Sequence, residues 1–192
     1  MRQPGAPDFF GSSAPQMAPW REMTDNPDAT RHPFPIRHNR GVTSDAFSSA
    51  IANNPIDLPD DEPCPCGAGD TYGACCGRFI TGGQFPTTAE QCMRSRYTAY
   101  VLRHGDHLFR TWHPRTRPDQ IDLENVTWTG LSINRTLHGG EHDTTGQVDF
   151  TAHWLLEDGH QADLHEVSTF EKRGRRWFYV EGDHHFHGVG GK

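Results

Sequence analysis

The chain has 192 residues, a formal net charge of −7 and a hydrophobic fraction of 33%. This length accommodates one ordinary domain and a smaller piece, and the hydrophobic fraction is low for a chain that folds throughout. Because acidic residues are in excess and no basic stripe is present, we do not expect nucleic-acid binding. No run approaches the roughly 20 apolar residues of a membrane helix, and the N-terminus lacks the apolar run of a secretory signal. We therefore predict a cytoplasmic protein without a membrane partner.

Residues 1–60 are predicted to be a disordered leader. Ten of the fourteen prolines lie within residues 1–63, and large apolar residues such as Trp20 and Phe34 occur singly and without a period. Such a segment cannot bury enough apolar surface to offset the entropy lost on ordering. A docking motif around Trp20, or a later start of synthesis at Met17, are alternatives that the sequence leaves open.

Four cysteines follow this leader in the order C-x-C, eight residues, then C-C: Cys64, Cys66, Cys75 and Cys76. In a reducing cytoplasm such thiols are available to a metal ion. Zinc prefers four tetrahedral ligands, and two cysteine pairs joined by a glycine-bearing loop can supply all of them. Because four protein ligands leave no open position for water, we predict a structural zinc knuckle over residues 61–80. A disulfide and an iron–sulfur cluster are the alternatives, although this spacing differs from the usual cluster arrangements.

Two helices and then a series of strands are predicted downstream. Thr87 and Glu90 match a capping box with Thr87 as the N-cap, and apolar residues at helical spacing predict a helix from about 88 to 103. Residues 106–112 predict a second short helix, which His113-Pro114 ends. Alternation with a period of two, interrupted by glycine-containing turns, then predicts four strands, at 126–137, 148–156, 164–170 and 177–180. Helices followed by a strand meander give an α+β domain over residues 84–183, with its helices packed on one face of the sheet.

The knuckle and several strings downstream resemble a known family. Cys64-Pro65-Cys66 and the following Gly77-Arg78-Phe79 resemble the SEC-C motif, although the last ligand pair of that motif is usually Cys-His and is Cys-Cys here. Three later strings resemble, in this order, the YchJ family of uncharacterised bacterial proteins: MRSRYTAY at 93–100, TWHP at 111–114 and LHE at 164–166. The resemblance covers roughly residues 63–183. It implies a cone-shaped domain of the nuclear-transport-factor-2-like type, in which a curved antiparallel sheet often leaves a pocket.

The candidate ligand-binding side chains of such a pocket are charged or aromatic: Arg94, Arg96, Tyr97, Tyr100, Trp112, Trp154 and Glu166. Two arginines could clamp a carboxylate or a phosphate, whereas ordinary ion pairing and core packing are the alternatives. His113 and His165 are the candidates for a general base. Adjacent His165 and Glu166 point to opposite faces of a strand and cannot form one dyad. The pattern leaves open which of the two faces the interior. Cys92, in the middle of the first helix, is predicted to be a buried apolar residue rather than a nucleophile.

The chain ends in a histidine-rich segment, residues 184–192, which we predict to be a flexible tail. Weak chelation of a divalent metal by His184, His185 and His187 is the alternative. The function that the sequence favours is a cytoplasmic zinc-binding protein that binds a small ligand or another protein, and it favours a non-enzyme over an enzyme. An enzyme with a histidine base in the cone is one alternative. An adaptor linked to protein secretion or translation is another, by analogy with the knuckle of the preprotein translocase motor.

Overall fold

The computed structural model describes residues 54–121, 123, 126–156 and 158–188, and the side chains of 186–188 are not among the described ones. Most of the predicted leader lies outside these residues. The helical elements are a π-helical turn at Gly73–Gly77, α1 (Arg78–Ile80), α2 (Ala89–Val101) and α3 (Gly105–Arg110). The strands are β1 (Thr127–His138), β2 (Thr145–Leu155), β3 (Gln161–Arg173) and β4 (Arg176–Gly188). None of the helices in the described ranges is long and apolar enough to span a bilayer.

The four strands form one antiparallel sheet in the order β1-β2-β3-β4, so each strand pairs with its neighbours along the chain. The prediction of helices followed by a strand meander is therefore confirmed. β4 is much longer than the predicted strand at 177–180, because its pairing with β3 continues to Ala162 opposite Gly188. The prediction of a flexible tail from residue 184 is accordingly wrong for residues 184–188, which lie in this strand.

The segment after α3 covers part of the free edge of β4. Trp112 forms an isolated parallel bridge with Tyr179. The N–H of His113 donates to the Tyr179 carbonyl at 2.7 Å, and the N–H of Tyr179 donates to the Thr111 carbonyl at 2.8 Å. This pairing satisfies backbone groups that an open sheet edge would otherwise present to other chains.

Helix α2 begins one residue later than the predicted cap implies. Thr88 is the N-cap, and its side chain accepts a hydrogen bond from the Gln91 N–H at 3.2 Å. The Gln91 side chain reaches back and accepts from the N–H and the hydroxyl of Thr87 at 2.9 and 3.0 Å. The predicted pair, Thr87 and Glu90, is therefore wrong by one position, and the carboxylate of Glu90 is paired with Arg94 instead.

One face of the sheet is covered by α2, and we call it the inner face. It is defined on β2 by Val148, Phe150, Ala152 and Trp154, none more than 4% exposed. Asp149, Thr151 and His153 alternate with them and define the outer face, where they are half-buried. Apolar side chains of α2 pack on the inner face together with Phe170 and Trp177, and three knuckle cysteines belong to the same buried cluster. Burial of each large apolar side chain stabilises the fold by about 1.5–3 kcal/mol.

The strand β3 resolves the open question about His165 and Glu166. Ala162, Ser168 and Phe170 are buried on the inner face, so Glu166, two residues before Ser168, shares that face. His165 therefore lies on the outer face. The sequence pattern allowed both registers, because Val167 on one side and Leu164 on the other are equally apolar.

Candidate functional site

The knuckle brings the four predicted cysteines together. Their sulfur atoms all lie within 4.8 Å of one another, with Cys66 and Cys75 at 3.5 Å and Cys75 and Cys76 at 3.9 Å. Sulfur atoms about 2.3 Å from a tetrahedral zinc ion are about 3.8 Å apart. The sulfur cluster thus has the size of a four-thiolate metal site and can bind a metal ion.

Local backbone geometry explains how so short a loop closes. Gly67 and Gly69 adopt φ angles of +69° and +95°, which glycine reaches at little cost. The Gly67 N–H donates to the Cys64 carbonyl at 3.1 Å, and the Cys64 N–H donates to the Asp70 carbonyl at 3.0 Å. The first cysteine pair is therefore held in a tight turn, and the second pair lies in the π-helical turn that follows.

The electrostatics of the sulfur cluster favour a cation within it. Hydrogen bonds from the neighbouring thiols of Cys66 and Cys76 hold the pKa of Cys64 far below its usual range. Hydrogen bonds with Cys64 and Cys66 raise the pKa of Cys76, and burial raises the pKa of Cys75 to about 12. Several thiolates cannot coexist here without a compensating positive charge, which a metal ion supplies when it binds.

Helix α2 anchors the knuckle through Arg94. The Arg94 Nη1 donates to the Cys66 carbonyl at 3.1 Å, and its Nε donates to the Glu90 Oε1 at 2.8 Å. The Cys64 sulfur lies 3.9 Å from the hydroxyl oxygen of Thr98, one turn further along the helix. Arg94 therefore connects α2 to the loop that carries the four cysteines.

Arg96 points elsewhere and is 3% exposed. Its Nη1 donates to the Leu108 carbonyl and to the Thr111 hydroxyl, both at 3.0 Å. The guanidinium carbon stands 4.9 Å from the ring centre of Trp112 and 4.6 Å from that of Tyr179. Of the two alternatives for these arginines, the two-arginine clamp is not formed, because the two guanidinium groups lie in different environments.

Glu166 projects from the inner face next to Tyr179. Its carboxylate accepts a hydrogen bond from the fully buried hydroxyl of Ser168. It also occupies the space where a side chain on Gly182 would lie. Burial and the negative charge of Glu166 raise the pKa of Tyr179 well above its usual range. Three predicted pocket residues, Arg96, Trp112 and Glu166, are thus gathered around Tyr179.

Sequence reasoning missed the residues that position Glu166: Ser168, Tyr179 and Gly182. Two features of the sequence indicate these residues, but only weakly. Ser168 follows Glu166 at the strand period of two, and a glycine inside a predicted strand often marks the close approach of another group. Gly182 lay outside the predicted strand, however, and its pairing with Ser168 is visible only in the folded sheet.

The remaining predicted aromatic residues form a separate cluster around Trp128. The ring of Trp128 contacts Tyr97 at 5.8 Å, Tyr100 at 6.3 Å and Trp154 at 5.8 Å between centroids. Edge-to-face packing of this kind stabilises a core by about 0.5–1.5 kcal/mol per pair beyond area burial. Burial also raises the pKa of Tyr97 to about 12, so its hydroxyl stays protonated.

The two histidine candidates for a general base both lie away from Glu166. His113 is fully buried, with its Nε2 at 3.7 Å from the Glu171 Oε2, and burial lowers its pKa. His165 on the outer face has its Nε2 2.8 Å from the Asp149 Oδ1. Cys92 is fully buried and its pKa is raised to about 12 by burial, as expected for a cysteine that packs as an apolar residue.

Two surface clefts border the helices. One lies between the knuckle and the start of α2, where Asp70, Phe79, Glu90 and Arg94 contribute to its walls. The other lies beside α3, where Ile80, His107 and Phe109 contribute. Glu166 lines neither cleft.

Comparison with known proteins identifies both parts of the chain. The SEC-C motif matches residues 62–78, and the family described as YchJ, middle NTF2-like domain, matches residues 88–182. A UPF0225 protein of Streptomyces coelicolor is 46% identical over 122 residues, which are 63% of this chain and 94% of that protein. A UPF0225 protein of Bordetella pertussis is 44% identical over 124 residues, which are 62% of this chain and 91% of that protein.

Two solved structures share the fold. The solution structure of a SEC-C motif containing protein from Rhodopseudomonas palustris is 32% identical, with a TM-score of 0.56, and the match covers 62% of this chain and 96% of that one. The crystal structure of a SEC-C motif containing protein from Psychrobacter arcticus is 26% identical, with a TM-score of 0.53, and the match covers 64% and 82%. The chain therefore belongs to the UPF0225 family and combines a SEC-C motif with a YchJ-type NTF2-like domain.

Proposed function

We propose that this chain is a cytoplasmic zinc-binding protein in which one zinc ion, held by Cys64, Cys66, Cys75 and Cys76, is structural. The observation that carries this proposal is the set of four sulfur atoms within 4.8 Å of one another. Thiolates select zinc, copper(I) or iron–sulfur clusters, and a closed four-sulfur tetrahedron is typical of structural zinc. Such an ion supplies folding free energy and holds the loop against α2.

Metal analysis of the purified full-length chain tests this proposal. We expect one equivalent of zinc per chain and no acid-labile sulfide. Less than half an equivalent of zinc would contradict the proposal, and stoichiometric iron with sulfide would replace it with an iron–sulfur site. Cys92→Ala is the matched control, because it removes a buried thiol outside the sulfur cluster and leaves zinc binding intact.

A second function, small-ligand binding at the inner face, is supported by the position of Glu166. A carboxylate on the covered face of a sheet loses hydration and needs hydrogen-bond donors. Ser168 supplies one donor, and a side-chain hydrogen bond joins Tyr179 to the same carboxylate. A carboxylate has about four acceptor sites, so a donor group of a ligand can bind beside these two. The aromatic rings of Trp112 and Tyr179, packed edge to face with centroids 5.0 Å apart, lie beside it. The ligand that fits carries an amine or a hydroxyl group on an apolar body.

Native mass spectrometry of the protein isolated from its own host tests the second function. We expect a bound small molecule that is retained by Glu181→Gln, an exposed control on β4, and lost from Glu166→Gln. Retention of the molecule by Glu166→Gln would contradict binding at this carboxylate. A mass that corresponds to protein and zinc alone, in every preparation, would contradict ligand binding itself.

A further inference from the structure

The outer face of the sheet carries histidine and aspartate side chains on three adjacent strands. Asp149 and His153 lie on β2, Asp163 and His165 on β3, and His185 on β4, as the strand registers show. Short hydrogen bonds join them in pairs: His153 Nδ1 to Asp163 Oδ1 at 2.7 Å, and His165 Nε2 to Asp149 Oδ1 at 2.8 Å. These residues play no part in the knuckle or around Glu166.

His165 is oriented as a metal-binding histidine is. Its Nε2 faces the carboxylate of Asp149, which is itself fixed by the Asn134 side-chain amide at 2.9 Å. A neutral imidazole that donates its Nε2 proton to a carboxylate carries its lone pair on Nδ1. Carboxylates that hold a ligating histidine in this way fix its tautomer and raise its basicity.

A second imidazole lies directly across the neighbouring strand. His165 and His185 are partners in the β3–β4 register, and their rings are stacked with centroids 6.5 Å apart and planes at 27°. Cβ atoms of directly opposite residues are about 4.5–5.5 Å apart, so a rotation of the His185 ring can bring one of its nitrogens and the His165 Nδ1 to about 2.0–2.1 Å from a shared ion. The His185 side chain is 64% exposed and can make that rotation, while His165, which is 36% exposed, keeps its bond to Asp149.

A carboxylate is available next to the imidazole pair. Asp183 shares the outer face with His185, and its Oδ1 lies 3.8 Å from the His185 Nε2. Its side chain is 73% exposed, so it can rotate toward an ion between the two rings. The net charge of −7 adds a general attraction for cations.

We propose that His165 and His185, assisted by Asp183, form a second metal site on the outer face of the sheet, which binds a divalent first-row transition ion. Imidazole nitrogen with carboxylate oxygen suits nickel, copper(II) and zinc. Asp149 is a positioning residue that orients His165 and does not touch the ion. With two or three protein ligands and the remainder water, the site is exchangeable, in contrast to the closed sulfur cluster.

Titration calorimetry with Ni²⁺ tests this site on the full-length, untagged chain already loaded with zinc. We expect one equivalent of Ni²⁺ to bind while the zinc content stays constant. His165→Ala and His185→Ala should each weaken binding at least tenfold, since loss even of an outer-shell partner costs about 10–100-fold at metal sites. His142→Ala, at an exposed turn between β1 and β2, should bind as the unmodified chain does.

Several results would overturn the proposal. If the zinc-loaded chain binds no Ni²⁺, the site does not exist. If His165→Ala binds Ni²⁺ as tightly as the unmodified chain, the ion is held by the histidines near the end of β4 alone, and the cross-strand site is wrong. His165→Gln repeats this test with a side chain that keeps a hydrogen bond to Asp149, so that a fold defect in the alanine variant cannot be mistaken for a lost ligand.

Discussion

The knuckle and the sheet are stabilised in different ways, although their buried side chains form one cluster. In the knuckle, the groups that converge are sulfur atoms on a loop bent by Gly67 and Gly69. In the sheet, large apolar side chains such as Phe150, Phe170 and Trp177 fill the space beneath α2. The difference suggests one way for a chain with a low hydrophobic fraction to complete its fold, since the metal ion that we propose for the knuckle would replace apolar burial where apolar residues are few.

Loss of one sulfur ligand should have the largest effect. We expect Cys66→Ser to bind less than half an equivalent of zinc and to lower the thermal midpoint of the whole chain, because binding to structural four-ligand sites is worth on the order of 10 kcal/mol. Metal analysis and thermal unfolding followed by circular dichroism measure both effects. Full zinc occupancy in Cys66→Ser would show that this sulfur is not a ligand.

Truncation in the sheet should destabilise the fold without removing the metal. We expect Phe170→Ala to cost about 3–5 kcal/mol of unfolding free energy, since Phe170 is fully buried and leaves a cavity. At a temperature where the variant is still folded, it should hold one equivalent of zinc. Urea unfolding measures the loss of unfolding free energy, and metal analysis measures the zinc content. Zinc loss in the folded variant would mean that metal binding in the knuckle depends on packing in the sheet.

A methyl group at position 182 should displace the Glu166 carboxylate. We expect Gly182→Ala to cost about 1–3 kcal/mol, the usual range for overpacking, because the added Cβ would overlap the carboxylate that Ser168 holds. The double variant Gly182→Ala with Glu166→Ala should recover part of that loss, a coupling that a double-mutant cycle of urea unfolding measures. Additive losses would show that Glu166 does not occupy this space.

The parts of the fold that the sequence predicts are those set by local spacing. The cysteine spacing predicts the knuckle, and alternation on β2 predicts the buried face through Val148, Phe150 and Trp154. Helical geometry also carries information about the arginines, because Arg94 and Arg96, two residues apart, cannot share a helix face. The clamp, one of the two alternatives that the sequence left open, is therefore disfavoured by helix geometry alone.

The parts that the sequence does not predict depend on contacts between distant residues. Two adjacent threonines both fit the cap of α2, and the choice of Thr88 follows from the bond of the Ala89 N–H to the Gly139 carbonyl at 2.8 Å, fifty positions away. The length of β4 depends on its pairing with β3 rather than on its own alternation. The environment of Glu166 likewise exists only once Gly182 lies opposite Ser168.

Acid should weaken the packing of α3 against α2 through His107. Burial lowers the pKa of His107 to about 3, below the value of about 6.5 in an unfolded chain. The stabilising contribution of the neutral ring is therefore complete above about pH 6.5 and is lost as the pH falls toward 3, by up to about 1.4 kcal/mol per pH unit. Urea unfolding at several pH values should show a shallower decline for His107→Gln, whose amide can still bond the Ser95 hydroxyl. If the free energy of unfolding fell equally with pH in the unmodified chain and in His107→Gln, His107 would not be the group responsible.

The smallest effect is expected where the two regions meet, at Arg94. Its bonds to the Cys66 carbonyl and to Glu90 connect α2 to the metal loop, and each hydrogen bond contributes about 0.5–1.5 kcal/mol. Because the side chain is 21% exposed, we expect Arg94→Ala to cost about 1 kcal/mol in total, since solvent screens its ion pair with Glu90. Zinc transfer to a chelator should be faster in this variant than in Glu90→Ala, which removes the ion pair and leaves the bond to the knuckle. Equal transfer rates in the two variants would show that Arg94 stabilises α2 alone and that the loop holds its metal without help from the helix.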